Sequence, residues 1–579
     1  MDSSRGLHRG TLLTWLGSLA PAAPVAFLVA TNAVDTLFMD DWDLVGMTLV
    51  RARSGGLGIE QLLAQHNESR PLVPRLLFLA VGTAARGDTR WLLAVNLAIA
   101  CLVSYSLFCL IRATVTAKPS HLLGLGFLAN LLLFTPKQAE TWLWCSYMGL
   151  EPIVCLTATL AMLHSGRSSA ARVATGAVLC AAATFSYANG LSAWVLAAPV
   201  VATTADRRWL GPWALGFLLS AAVYFRGYVQ PLGLPLSGLE PVRLAHYLLT
   251  FLGAPLGVNR VAVATTVGAL LLLAFTLVCV YWLTHVGEEG LRSRLAPWLS
   301  IGGYAVLSGI ATAMGRSSFG VQHALANRYV PFSLYLPVAL VGAVPIVWQH
   351  LRAHRVPGPQ GLRTAGALLT SALAGGLVLH SASAAIGVGE LIREGRMLRY
   401  GRTCLLFSLV RLDERCLGDW VYPSAPAVVQ MARDLERLGY LRPGLITSPR
   451  LQDLSEPGTT HVSPGVFESL STKRARFVAE GWAGLPAGEG PADAVVLAGR
   501  QASGDWTPIG FAPVVAPRPD VAMKRGPTSR DSAWRGELVR REFRNRPVEV
   551  SAWAFDAERR LALPLQNTFT AEVETAPRR

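Results

Sequence analysis

The chain has 579 residues, 52% of them hydrophobic and 15% charged, with a mean hydropathy of +0.38. That balance excludes an ordinary soluble domain and a disordered chain, and it fits a protein with many membrane spans. The formal charge of +15 is carried by basic residues beside apolar runs, and no Lys/Arg-rich stretch has interleaved aromatics, which argues against nucleic acid as a partner.

The first apolar run, "TLLTWLGSLAPAAPVAFLVA", is too long for the apolar part of a signal peptide and reads as an uncleaved first helix. Apolar runs predict eleven spans over 11–32, 91–111, 120–136, 147–164, 171–187, 190–204, 209–227, 260–284, 297–314, 329–349 and 365–384. The stretch 71–84, "PLVPRLLFLAVGTA", is short and carries Pro71, Pro74 and Arg75. If it does not cross, Arg5, Arg9, Arg112, Lys118, Arg167, Arg172, Arg207, Arg208, Arg292, Arg294, Arg352, Arg355 and Arg363 all fall in or beside cytoplasmic loops. The segment 59–84 is therefore expected as one or two helices in the outer interface. The expected location is the inner (cell) membrane, multi-pass, with a cytoplasmic N-terminus and an extracytoplasmic C-terminal part.

Beyond the last span the chain turns polar. Residues 385–440 have amphipathic helical spacing. After "RPG" short alternating segments such as "RFVAEGWAGL", "ADAVVLAGRQ" and "EVSAWAFD" are separated by Gly, Pro and Asp turns. The expected fold is a polytopic α-helical membrane domain over 1–384, a helical connector over 385–442, and an extracytoplasmic β-sandwich over 443–579. Most cysteines lie in apolar spans; Cys404 and Cys416 could pair if the C-terminal part is extracytoplasmic.

Three loops expected on the outer face carry unusual polar sets. The first outer loop, 33–90, holds "MDDWD" and "QHNESRPLVPR". The next sets are "TPKQAETWLWCSYMG" (135–149) and "MGRSSFGVQHALANRYVPFS" (314–333). A carboxylate at the edge of a low-dielectric slab is suited to act as a general base, because desolvation raises its pKa toward neutrality. Arginine binds a lipid phosphate with two parallel hydrogen bonds, and tryptophans stack on sugar faces. Asp40, Asp41 and Glu140 are the candidate catalytic residues. Trp42, Asp43, His66, Glu68, Arg70, Trp142, Arg316, His323, Arg328 and Tyr329 are the candidate substrate-binding residues. No Cys/His set has metal-ligand spacing.

This layout resembles the GT-C superfamily of integral-membrane glycosyltransferases, on the acidic motif "MDDWD", the Pro-containing stretch that begins "SRPLVPRLLFLAVGTA", the "QAETW" segment and the "GRSSFGVQHALANRY" loop. The resemblance covers about residues 1–384. It implies sugar transfer, with inversion, from a polyprenyl-phosphate donor to an extracytoplasmic glycan, lipid or protein acceptor, in contact with membrane lipids. It matches Asp41 or Asp40 to the base, Glu140 to a second acid that is often Asp in the superfamily, and Arg316 and Arg328 to lipid-phosphate binding. No cofactor is certain; a glutamate at the second position leaves a divalent metal open. The alternatives are a transporter or flippase for lipid-linked saccharides and a non-catalytic envelope assembly protein.

Overall fold

The computed structural model describes residues 2–165, 169–204, 207–230, 240–356, 358–455, 464–485, 490–526, 529–543 and 547–572. Arg167, used above for topology, lies outside them. The chain forms two compact units. One comprises Met1–Thr31, Leu57–Leu77 and Leu92–Leu391; the other comprises Asn32–Gly56, Phe78–Trp91 and Ile392–Arg579. This grouping differs from the boundaries expected after 384 and 442. The stretch 33–90 contributes to both units, and one helix, Pro359–Leu406, runs through the boundary at residue 391. An amphipathic pattern that continues an apolar run leaves no sequence mark at the boundary between the two units.

The first unit is helical. Among the described residues, five helical stretches are long and apolar enough to cross a membrane: Arg90–Thr114, Val261–Thr284, Glu289–Phe319, Asn327–His354 and Pro359–Leu406. A sixth arises if Gly10–Ser18 and Ala22–Asn32, bent by 57° at their junction, act as one. Eleven were expected. The difference lies in helices such as Leu150–His164 and Ala170–Thr184, which have 15 residues each. At about 1.5 Å per residue these fall short of a hydrocarbon core of about 30 Å. The 59–84 stretch contains two helices, Ile59–Leu63 and Leu72–Ala84. Large apolar side chains face outward along several helices, among them Leu218, Leu219, Leu270, Leu277, Leu368 and Val378.

Packing inside this unit relies on small residues. The helix Pro241–Gly253, absent from the expected spans because Arg243 and His246 interrupt its apolar pattern, packs against Val261–Thr284. A Cβ at Gly253 would lie 1.9 Å from the carbonyl oxygen of Ala264, and one at Gly268 would lie 1.8 Å from that of Leu249. Only glycine allows backbones this close.

Among the described residues the second unit ends in seven strands: β1 (Gly465–Lys473), β2 (Arg476–Ala483), β3 (Ala494–Arg500), β4 (Trp506–Ala516), β5 (Ala533–Val539), β6 (Val548–Asp556) and β7 (Leu561–Ala571). They do not form the expected sandwich. They close into a barrel in the order β1-β2-β5-β4-β3-β6-β7, with β7 returning parallel to β1 at Val466 and Gln566. Register shifts at Phe467/Ser469, Leu497/Ala498, Val514/Ala516 and Ser551/Trp553 supply the bends that curl the sheet. Alternating short strands are common to both architectures, and the bulges that select closure are invisible in the alternation. Phe467, Leu497, Trp534 and Val550 fill the interior. In the same unit Cys404 and Cys416 form a disulfide.

Candidate functional site

The structure separates the candidate residues by unit. In the first unit, the loop 135–149 and the turn Asn327–Tyr329 come together. Glu140, in the short helix Ala139–Leu143, faces Arg328, with Oε2 3.5 Å from Nη1. The other arm of the guanidinium, Nη2, donates to Nε2 of His323 at 3.0 Å. A guanidinium only donates, so Nε2 must accept, and the imidazole is neutral with its proton on Nδ1. That nitrogen faces the Tyr247 hydroxyl at 3.3 Å. Arg328 also lies over the ring of Tyr329, 5.3 Å from its centroid. The backbone carbonyl of Arg328 accepts from the Tyr147 hydroxyl at 3.0 Å.

Burial sets the electrostatics. The Glu140 side chain is 16% exposed, and desolvation raises its pKa above the ordinary value while Arg328 opposes the rise. The His323 pKa is lowered, first by burial and then by the positive charges of Arg328 and Arg316. The Arg328 side chain is 38% exposed, so this ion pair has an open side.

A second pair in the same unit joins Glu68 to Arg316, Oε1 to Nη2 at 2.9 Å. Glu68 sits in a tight turn closed by the His66–Ser69 bridge, with Asn67 in the left-handed region at φ 49°. His66 contacts the neighbouring Asn67 side chain at 3.3 Å. Arg70, expected to meet substrate, instead donates to the carbonyls of Tyr224, Leu63 and Arg226 at 2.6, 3.0 and 2.6 Å. Its role here is to hold loop backbone together. Trp142 is likewise a correction: it is 1% exposed, bonded to the Thr135 carbonyl and stacked on Phe134, so no face is open to a sugar.

In the second unit, the four acids that follow the first helix have separate roles. Asp35 accepts from the backbone N–H and hydroxyl of Thr89 at 2.9 and 3.1 Å, and burial raises its pKa. Asp41 is 2% exposed, and its Oδ2 accepts the Phe38 N–H at 2.9 Å. Asp43 accepts from the Tyr422 hydroxyl at 3.3 Å. Asp40 is exposed. Adjacent residues entering a helix diverge by about 100°, which places Asp41 inside and Asp40 outside. Trp42, expected to stack on sugar, is 0% exposed, and its Nε1 donates to the Leu37 carbonyl.

Among the described residues no three His, Cys, Asp or Glu gather in a way that could hold a metal ion, so no metal step is derived. Sequence reasoning missed Lys137, Tyr147, Tyr247, Asn327 and Glu390, which surround the Glu140–Arg328 pair. Lys137 had a visible signal, being the one basic residue of its loop; the others carry none. The chain matches no family model, and no curated protein or solved structure shows significant similarity to it.

Proposed function

We propose that the protein is a membrane-embedded, GT-C-like glycosyltransferase that moves a sugar from a polyprenyl-phosphate donor to an extracytoplasmic acceptor. The observation that carries this reading is the Glu140–Arg328–His323 arrangement: a desolvated carboxylate paired with a half-open guanidinium whose other arm rests on a neutral imidazole. The outward-facing apolar helices support membrane embedding, and the Cys404–Cys416 disulfide is consistent with an oxidising, extracytoplasmic setting for the second unit.

In this reading the acceptor hydroxyl attacks the anomeric carbon while a carboxylate takes its proton. The bond between that carbon and the phosphate oxygen breaks, the polyprenyl phosphate leaves with the electron pair, and the configuration inverts. Glu140 is suited to the proton, since its raised pKa brings it nearer neutrality. Once protonated it holds Arg328 less strongly. The guanidinium then loses its negative partner as negative charge grows on the leaving phosphate, and stabilisation falls where it accelerates the step. Asp40, the exposed acid of the "MDDWD" motif, is the alternative base.

A panel of polyprenyl-phosphate sugars, assayed in detergent for release of polyprenyl phosphate, tests the reading. Loss of release in Glu140→Gln with retention in Asp40→Asn assigns the base to Glu140; the reverse assigns it to Asp40. If no donor on the panel is bound or turned over, the transferase reading fails.

One observation favours the transport reading. Glu151, in the helix Leu150–His164, is 5% exposed, and among the described residues no side chain donates to either of its oxygens. An ionisable group inside an apolar helix bundle is a recurrent feature of proton-coupled carriers. Saccharide movement across vesicles that Glu151→Gln abolishes would support it.

A further inference from the structure

The Lys137 side chain is 1% exposed, yet it is polar and needs partners there. Its Nζ donates to Oε2 of Glu390 at 2.8 Å and to Oδ1 of Asn327 at 3.1 Å. The other oxygen of Glu390 accepts from the side-chain amide of Asn259. Val258 and Asn259 both hold positive φ, 44° and 57°, and the Val258 N–H donates to the Ser383 hydroxyl at 3.1 Å. A β-branched residue in that region is strained, so the turn is held in place by its bonds. On the far side, a Cβ at Gly387 would lie 2.5 Å from the backbone nitrogen of Lys137, so the helix carrying Glu390 lies directly against the loop.

A buried ion pair is weak evidence of stabilisation by itself. Lys137 is buried while Glu390 is 28% exposed, and one such partner only partly offsets the desolvation of a buried cation, so the burial of Lys137 calls for another reason. The geometry supplies one. Lys137 and Glu140 stand three residues apart in one loop, and they grip consecutive residues of another: Lys137 holds Asn327, and Glu140 holds Arg328.

We propose that Lys137, neutralised by Glu390, is a positioning residue that fixes the Asn327–Tyr329 turn and so sets Arg328 against Glu140. This rests on the transferase reading for what the site does, and on the hydrogen bonds alone for what Lys137 holds. Lys137 does not touch the reacting atoms; it acts through Asn327. Lys137 and Glu390 also lie within electrostatic reach of Glu140, with opposite effects on it, so their pairing leaves Arg328 as the dominant charge at that carboxylate.

The test uses the full-length protein in detergent with Lys137→Met, Asn327→Ala and the double variant Lys137→Met/Glu390→Met. Asn327→Ala keeps the Lys137–Glu390 pair and removes no charge, so it carries the test if Lys137→Met fails to fold. Two readouts are taken: kcat and KM for the donor, and the titration of the Glu140 carboxyl by carbon-13 NMR, identified by its absence in Glu140→Gln. We expect Lys137→Met and Asn327→Ala to lower kcat by roughly ten- to a hundredfold with little change in KM, as for a misplaced catalytic group. The double variant stays low, because Asn327 still lacks its donor. The Glu140 midpoint rises in Asn327→Ala as Arg328 moves away from it. Wild-type kcat in Asn327→Ala or in the double variant overturns the proposal. If the wild-type protein turns over no donor, the transferase reading fails separately and the titration decides: a raised midpoint in Asn327→Ala supports the positioning role, and an unchanged one overturns it.

Discussion

Arg328 donates to Nε2 of His323 at 3.0 Å, and this bond exists only while the imidazole is neutral. Protonation would put an N–H against an N–H and a positive charge against a guanidinium. The lowered pKa of His323 has this as one of its causes, after burial.

A pH dependence follows. The folded pKa of His323 lies below its unfolded value of about 6.5, so the unfolded chain binds the proton more readily. Stability is unaffected above that value and declines as pH falls from it toward the folded pKa, below which the loss is complete. Activity should fall over the same acid range, as Arg328 is pushed from its place. His323→Gln, which keeps a neutral polar side chain, should flatten the acid loss of stability measured by thermal unfolding between pH 7 and 5.

Glu140 moves in the opposite sense. Its folded pKa lies above the unfolded value of about 4.3, so the folded protein gains protons first, and its ionisation costs stability as pH rises through that window. Glu140→Gln should therefore fold at least as well as wild type at pH 7, while turnover falls by about a hundredfold or more if Glu140 is the base. Thermal unfolding beside single-turnover kinetics separates the two effects.

Arg328→Lys keeps the charge and loses the fork. A lysine cannot reach Glu140 and His323 together from one planar group. We expect kcat to fall by about a hundredfold with a small rise in KM for the donor, since removing one preorganised donor at a developing charge has about that effect. Steady-state kinetics over a range of donor concentration checks it.

The acids of the second unit should divide by stability. Asp41→Ala leaves the Phe38 N–H without its partner inside the fold and should destabilise the protein by about 1–3 kcal/mol. Asp41→Asn keeps an acceptor and should be milder. Asp40→Asn, at an exposed position, should cost less than Asp41→Ala.

Arg70→Ala should act on stability and not on donor affinity. It leaves the carbonyls of Leu63, Tyr224 and Arg226 without their charged donor, at a cost of about 2–3 kcal/mol. A donor KM that rises severalfold in a fully folded Arg70→Ala protein would restore it to the substrate-binding set.

These residues show how far a sequence carries a site. Glu140, Arg316, Arg328, His323 and Tyr329 were legible because polar and charged groups between apolar runs stand out, and the structure brings Glu140, Arg328, His323 and Tyr329 together. Trp42 and Trp142 misled because an indole between apolar runs looks the same whether it anchors the loop or faces a ligand; only burial distinguishes them. Arg70 misled for a similar reason, since the backbone carbonyls it serves lie up to 156 residues away. The partners of Lys137, Asn327 and Glu390, are 190 and 253 residues distant, and no local pattern links them. Helix and strand types were largely legible from periodicity. Barrel closure was not, because it depends on bulge positions and on a single parallel contact between β1 and β7.

The most direct test is release of polyprenyl phosphate by wild-type protein and by Glu140→Gln and Arg328→Lys, all in detergent with matched unfolding profiles, across a panel of polyprenyl-phosphate sugars and glycan acceptors. The account predicts release with an inverted linkage in the product for at least one donor, and loss of at least about a hundredfold in Arg328→Lys. Wild-type rates in both variants, or no turnover of any donor by the wild-type protein, would contradict it.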